Sequence, residues 1–295
     1  MSDYLAYLAN CPLRGIEFTD VTKDGKPWRF RNLTRLNVAG FGLELHLRTD
    51  LPANLFDLVG QCIHTTNLFV RNVGPGDVPR LRKVIGYACE LLSFATESRV
   101  LPYGFEYPLG SFGGKTAMVG TVQGLRPPFW QPEHVKGFVE LCFDNYVKLR
   151  DPRKLHVVID YIHHSIMSGL ASEAHLAIAC IAFENFRFNW ALIAGYPFLD
   201  GFFREKGATA AKPGSVVGIA RHLTEMFAEV GMNSDPKRIV DTRNEVIHTG
   251  LFGNVHNNTT YEFMETALRE YFLRVVGYKG EFLPYIGGSP APHII

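Results

Sequence analysis

The stretch that decides the fold class is residues 176–194, LAIACIAFENFRFNWALIA. Its apolar positions recur every three or four residues, which is the period of a helix with one buried face. That face carries Leu176, Ala179, Cys180, Phe183, Arg187, Trp190 and Ala194. The stretch therefore predicts a long core helix.

The same period holds on both sides of this helix, from Pro132 onward. An apolar face over residues 155–166 predicts the preceding helix, and a similar face over residues 216–230 predicts the following one. A closing helix is predicted from about Thr260 to Val275, broken at Gly277. This half of the chain therefore indicates an all-α bundle.

The first half of the chain has mixed signals. Residues 41–47, FGLELHL, alternate apolar and polar side chains as a half-buried strand does, and residues 28–31 repeat this pattern briefly. Residues 116–122 predict another strand. A helix is predicted to follow Asp77, its N-cap, and to end before Pro102.

Turn-forming residues separate the two patterns in the run RPPFWQP at 126–132. We therefore expect an α+β protein with a mixed α/β accessory or regulatory domain at residues 1–130. An all-α helical bundle is expected at 131–286, and a flexible tail at 287–295.

The composition is that of a folded protein without a dominant charge. The chain has 295 residues, 46% of them hydrophobic, and a formal charge of +1. Any contact with RNA or DNA must therefore come from a local patch. Five scattered cysteines without a CxxC pair are expected to be buried free thiols in a reducing compartment.

The sequence offers no signal for secretion or for a membrane span. The N-terminus lacks a basic region ahead of an apolar run, and no stretch approaches ~18 consecutive apolar residues. We expect a cytoplasmic protein without membrane contact.

The candidate site lies in residues 241–250, DTRNEVIHTG. Arginine is a permanent planar cation that matches phosphate oxygens, and histidine exchanges protons near neutral pH. Arg243, Asn244 and His248 therefore suggest work on a phosphodiester. Their helix is predicted to begin at Pro236, after a cap at Ser234 or Asp235, and to end at Gly250.

Spacing alone does not make Arg243 and His248 a site. Five residues correspond to a rotation of ~140° on a helix, so the two side chains do not share a face. Asn244 and His248 are four residues apart and do share one, so the amide is placed to orient the imidazole. The alternative interpretation is a surface arginine and a helix-terminal histidine that interacts with the helix dipole.

Two further segments accompany this motif. Residues 182–184, Ala-Phe-Glu, lie in the core helix, and residues 271–282, YFLRVVGYKGEF, combine a closing helix with a Gly-Tyr-Lys-Gly turn. With the Arg243-to-His248 motif, they make roughly residues 155–280 similar to the HEPN superfamily of helical bundles, in particular the ApeA-like members.

The resemblance implies an endoribonuclease that uses neither a metal nor another cofactor and acts as a homodimer with a composite active site. Arg243 and His248 would be catalytic and Asn244 would position them. RNA would be cleaved through its 2′-hydroxyl to leave a 2′,3′-cyclic phosphate. Such an enzyme is typically a toxin or an antiphage defence effector, with a regulatory partner or antitoxin.

Glu184 lies on an otherwise apolar helix face, where an unpaired carboxylate is costly to bury. We expect it to pair with Arg243, Arg187 or a helix end, and to support the site without reacting.

The sequence is also compatible with two other functions. The chain could be a catalytically inactive HEPN-like module that binds a nucleotide, RNA or a protein. It could also be a small-molecule enzyme whose pocket is lined by first-half aromatic residues, namely Trp28, Phe105, Tyr107 and Trp130.

Three other sequence features have simpler explanations. His163, His164 and His175 lack a carboxylate or thiolate at a spacing that would complete a metal site. Residues 110–116, GSFGGKT, have the wrong glycine spacing for a phosphate loop and indicate a hairpin turn. The charged run at 150–154 indicates a solvated helix junction, with RNA contact a lesser alternative.

Overall fold

The computed structural model describes residues 1–23, 25–123, 126–167, 169–249, 257–286 and 291–295. Two units can be distinguished, an N-terminal unit of residues 1–144 with 281–283 and a C-terminal unit of residues 145–280 with 284–295. The expected domain boundary at residue 130 precedes helix α2 (Pro132–Arg150), whereas the division between the units falls inside that helix.

The N-terminal unit is built on a seven-stranded antiparallel sheet in the order β2-β3-β4-β5-β1-β6-β7. The strands are β1 (Ser2–Ala9), β2 (Glu17–Lys23), β3 (Lys26–Val38), β4 (Phe41–Leu47), β5 (His64–Val73), β6 (Leu101–Glu106) and β7 (Phe112–Lys115). Helix α1 (Val78–Thr96) packs against β6. The predicted strand at 41–47 and the helix after Asp77 are confirmed.

The predicted strand at 116–122 is wrong. The strand of this hairpin is β7, which ends at Lys115 after a turn that includes Gly110 (φ 89°). The last bond between this segment and β6 runs from Thr116 N–H to Tyr103 O, at 2.6 Å. Beyond this bond the chain leaves β6, and Val122 instead exchanges backbone hydrogen bonds with Gly60 and Gln61, at 2.8 and 2.9 Å.

The C-terminal unit contains five helices among the described residues: α3 (Leu155–Ser165), α4 (Ser172–Ile193), α5 (Ile219–Glu229), α6 (Pro236–Thr249) and α7 (Asn257–Val275). Helix α4 contacts the other four and forms the centre of the unit. The protein is therefore α+β, as expected.

Helices do not account for the whole C-terminal half. A short antiparallel hairpin of β8 (Phe198–Leu199) and β9 (Phe202–Phe203) follows α4. Two further strands are β10 (Glu281–Phe282) and β11 (His293–Ile294). The tail was predicted to be flexible over residues 287–295. Its first part, residues 287–290, lies outside the described residues. At its end, the N–H of Ile295 donates to Gly280 O at 3.1 Å.

Helix α6, which carries the candidate site, begins as the sequence predicts. The Asp235 carboxylate accepts hydrogen bonds from the backbone N–H groups of Lys237 and Arg238, at 3.0 and 3.2 Å, and Pro236 occupies the first helical position. The predicted end at Gly250 lies outside the described residues. The break after α7 is confirmed, since Gly277 has a φ of 82°.

Helix α4 is long and apolar enough to cross a membrane, by length and composition alone. Core helices of soluble proteins satisfy the same criteria. In this fold α4 is packed by α3, α5, α6 and α7, and 44% of its apolar window is buried.

The cysteines follow the prediction in four of five positions. Cys11, Cys89, Cys142 and Cys180 are buried free thiols, whereas Cys62 is exposed.

Candidate functional site

Helices α4 and α6 bring Glu184 and Arg243 together. Arg243 Nε lies 3.2 Å from Glu184 Oε1, and both side chains are about one-quarter exposed. Neither atom is aligned for a hydrogen bond, so the contact is an ion pair set by charge. The predicted pairing of Glu184 with Arg243 is confirmed.

A second arginine binds the same carboxylate. Arg187, one turn further along α4, donates from Nε and Nη2 to Glu184 Oε2 at 2.9 and 2.7 Å. Glu184 therefore bridges Arg187 and Arg243. Two guanidinium groups and one carboxylate leave this cluster with one net positive charge.

A buried histidine extends the cluster on the far side of Arg187. His222 of α5 is fully buried, and its Nδ1 lies 3.3 Å from Arg187 Nη1. Burial, and then the charge of Arg187, lower the pKa of His222 to about 4. The imidazole is therefore neutral at physiological pH and accepts from Arg187, so it holds the arginine in place.

Sequence reasoning did not identify His222 as part of this cluster. The sequence does indicate that His222 is buried, because it lies three residues after Ile219 and next to Leu223, on the buried face of α5. No short-range pattern connects it to Arg187, 35 positions away.

Asn244 contacts Arg243 in this structure. Its Oδ1 accepts from Arg243 Nη1 at 3.0 Å, which fixes the guanidinium from a second side. His248 is exposed in the last turn of α6, and it makes no hydrogen bond or ion pair within the described residues. Asn244 therefore positions the arginine in this chain, where the sequence suggested that it orients the imidazole.

The described residues around Arg243 enclose only a very small cavity. The cavity lined by Cys180, Glu184 and Arg243 measures about 10 Å³, which is room for at most one water molecule. Burial raises the pKa of Cys180 to about 12, so the thiol stays protonated and is not a nucleophile. Asn244 and His248 lie on the exposed side of α6.

The other charged and histidine-rich segments have local partners. Nδ1 of His164 contacts Asp160 O at 2.7 Å, and Nδ1 of His175 contacts Ser165 O. The described residues contain no group of three or more His, Cys, Asp or Glu side chains placed to hold a metal. In the charged run at 150–154, Arg150 pairs with Asp151 and Arg153 with Glu229.

Two of the four first-half aromatic residues line separate clefts of the N-terminal unit. Trp130 lines a cleft of about 890 Å³ in the N-terminal unit, and Phe105 lines a different one of about 590 Å³. Trp28 and Tyr107 line neither of these clefts.

Replacing Glu184 by glutamine should destabilise the C-terminal unit by about 1–3 kcal/mol, because two guanidinium groups would then face each other without their shared anion. Urea denaturation measures this effect. Asp241→Asn is the matched control, since Asp241 pairs with Lys237 on the exposed face of α6. Its loss should cost no more than about 0.5 kcal/mol. Equal effects for the two variants would show that the cluster around Glu184 has no special role.

No family model, curated protein or solved structure matches this chain.

Proposed function

We propose that this protein is a metal-independent endoribonuclease of the HEPN type that acts in the cytoplasm as a homodimer. The observation that carries the proposal is the fixed Arg243 guanidinium, held by Glu184 and Asn244, on the helix that also presents an exposed His248. A fixed cation and an exposed imidazole are two of the groups that RNA cleavage through the 2′-hydroxyl uses.

The chemistry assigned to these groups is an internal transfer. An imidazole removes the proton from a ribose 2′-hydroxyl, and the 2′-oxygen attacks the adjacent phosphorus. The bond from phosphorus to the 5′-oxygen breaks, and that oxygen takes a proton from a second imidazole, which enters the step in its protonated form. Arg243 offsets the charge that grows on the non-bridging oxygens. The products are a 2′,3′-cyclic phosphate and a 5′-hydroxyl.

The need for two imidazoles is the reason to propose a dimer. One copy of α6 supplies a single His248, while the other two titratable groups of the cluster are engaged: His222 is buried against Arg187, and the Glu184 carboxylate is bound by two arginines. A second copy, related by a twofold axis, would supply the second imidazole and a second Arg243. An RNA strand lying on the exposed side of α6 would then be shared by both copies.

The N-terminal unit is assigned a sensing or regulatory part in this proposal. A ribonuclease without control harms its own cell, so an antitoxin or another regulatory partner belongs to the same proposal. The biological role that follows is that of a toxin or an antiphage effector, and it is assigned by analogy with the resemblance.

The experiment compares two pools of random-sequence 30-mers in EDTA, one of unmodified RNA and one fully 2′-O-methylated. The protein should cut the unmodified pool and leave the methylated pool intact, because the methyl group removes the attacking hydroxyl. Cleavage of both pools at similar rates would mean that water is the nucleophile, and the proposed mechanism would be wrong.

A further inference from the structure

A second feature of the N-terminal unit is a strongly basic cleft beside the edge strand β7. Its volume is about 590 Å³, and Arg82 and Lys83 of α1, Lys115 of β7, and Tyr103 and Phe105 of β6 line it. We call it the β7 cleft. No carboxylate is among its lining residues.

The three cations of the β7 cleft are not neutralised. Arg82, Lys83 and Lys115 are exposed, and none of them forms an ion pair with a carboxylate in the described part of the chain. Three positive charges therefore lie in one cleft of a protein whose formal net charge is +1. Such a local concentration of charge attracts polyanions.

Arginines in the larger cleft of this unit are arranged differently. There Arg31 pairs with Glu133, at 2.6 Å, and Arg48 pairs with Asp50. The charges of these two arginines are largely compensated within the protein, whereas Arg14, the third arginine of that cleft, forms no ion pair in the described part of the chain. The β7 cleft therefore offers an anionic ligand more uncompensated positive charge than the larger cleft does.

Aromatic rings hold two of the cations in the β7 cleft. The guanidinium carbon of Arg82 lies 4.4 Å from the ring centre of Phe105, and that ring stacks on Tyr4 at 5.7 Å. Lys115 Nζ lies 5.6 Å from the ring centre of Tyr103. Contacts of this kind restrict the side chains, so less conformational freedom is lost when they bind a phosphate.

The neighbouring strand edge provides an exposed ring. Phe112 begins β7, which is the last strand of the sheet, and its side chain is 62% exposed. Phe112 is not one of the residues that line the cleft: it lies three residues before Lys115 on β7 and pairs with Glu106, whose carboxylate accepts from Tyr7 and Gly110. An exposed ring on a strand that also carries a cation suits single strands, since an unpaired base stacks on the ring while the cations contact the backbone. A duplex keeps its bases stacked inside and would leave Phe112 unused.

We propose that the β7 cleft binds the phosphate backbone of single-stranded RNA, with a base stacked on Phe112. The choice of RNA among polyanions rests on the proposed ribonuclease function. The N-terminal unit then contributes to holding the substrate in addition to any regulatory part.

The test uses full-length protein carrying His248→Ala, so that RNA is bound without being cut. Fluorescence anisotropy with a fluorescein-labelled single-stranded RNA, in EDTA, gives the Kd at several salt concentrations. Arg82→Ala/Lys115→Ala should raise the Kd at least about 10-fold and lower the slope of log Kd against log salt by about 1.4, as expected for two lost phosphate contacts on a single strand. Phe112→Ala should raise the Kd about 10-fold through lost stacking.

The matched control is Lys26→Ala/Lys148→Ala, which removes two exposed lysines elsewhere and should change the Kd less than 3-fold. Circular dichroism melting checks that each variant folds. Equal weakening by the control pair and the cleft pair would overturn the proposal. If the chain cuts RNA but the cleft variants bind normally, the cleft assignment fails and the ribonuclease function stands. If the cleft variants lose binding but the intact chain never cuts RNA, the cleft stands and the ribonuclease function fails.

Discussion

Replacing His248 by alanine should lower the rate of RNA cleavage at least ~10³-fold, because in a homodimer the substitution removes both the general base and the general acid. The single-turnover rate of a labelled RNA in EDTA measures the loss. Ile247→Ala is the matched control, since Ile247 is an exposed neighbour on the same helix, 46% exposed, and has no part in the chemistry. That variant should cleave at nearly the rate of the unmodified chain.

Arg243 should show a graded response in the same assay. Arg243→Ala removes the cation that offsets charge on the phosphate and should cost ~10²- to 10³-fold. Arg243→Lys keeps the charge but loses the planar fork that reaches Glu184 and Asn244. Its rate should therefore lie between that of the unmodified chain and that of Arg243→Ala.

A His248→Ala variant with more than one-tenth of the original rate would contradict the assignment of the imidazole.

Glu265→Gln should make the protein more stable at pH 8 by about 2–4 kcal/mol and change little near pH 4.5. Glu265 is fully buried in α7, and neither of its carboxylate oxygens has a hydrogen-bond partner among the described residues. Burial raises the pKa of this carboxyl to about 8, and nearby Ser165 offsets only part of the shift. The group is therefore protonated in the folded protein at neutral pH.

The sign of this effect follows from proton linkage. Between about pH 4.5 and 8 the unfolded chain releases the proton of Glu265 while the folded chain keeps it. The free energy of unfolding therefore falls as pH rises across this window, by up to ~1.4 kcal/mol per pH unit. Glutamine does not titrate, so the Glu265→Gln protein should lack this decline.

Urea unfolding from pH 4.5 to 9 measures the difference. The two exposed tryptophans Trp28 and Trp130 are first replaced by phenylalanine, so that Trp190 reports on the C-terminal unit alone. Asp241→Asn, at an exposed carboxyl of α6 in the same unit, is the control and should give a curve parallel to the parent. A stability difference for Glu265→Gln that is constant with pH would contradict the buried, protonated carboxyl.

The helices of the C-terminal unit were predictable because their signals are local. Helix α6 shows this most clearly, since Asp235 and Pro236 lie next to each other at its start and Asp235 makes the predicted cap. Strand β1 shows the opposite case. It lies between β5 and β6 and is buried on both faces, so its apolar residues run continuously and show no alternation.

The candidate site was predictable in part for the same reason. Arg243, Asn244 and His248 share one helix, and the unfavourable burial of Glu184 indicated that it needs a basic partner. The contact between Arg187 and His222 joins two helices through tertiary packing, which no local spacing encodes. The chain after β7 likewise follows tertiary contacts, since Val122 bonds to Gly60 and Gln61, which are far away in the sequence.

The most direct test of the ribonuclease assignment is the chemistry of the product ends. RNA is digested in EDTA by the unmodified chain and by the His248→Ala variant, and the fragments are identified by mass spectrometry. The expected result is fragments with 2′,3′-cyclic phosphate and 5′-hydroxyl ends from the unmodified chain and intact RNA from the variant. Intact RNA with both proteins, the same fragments from both, or fragments with 3′-hydroxyl and 5′-phosphate ends would contradict the assignment.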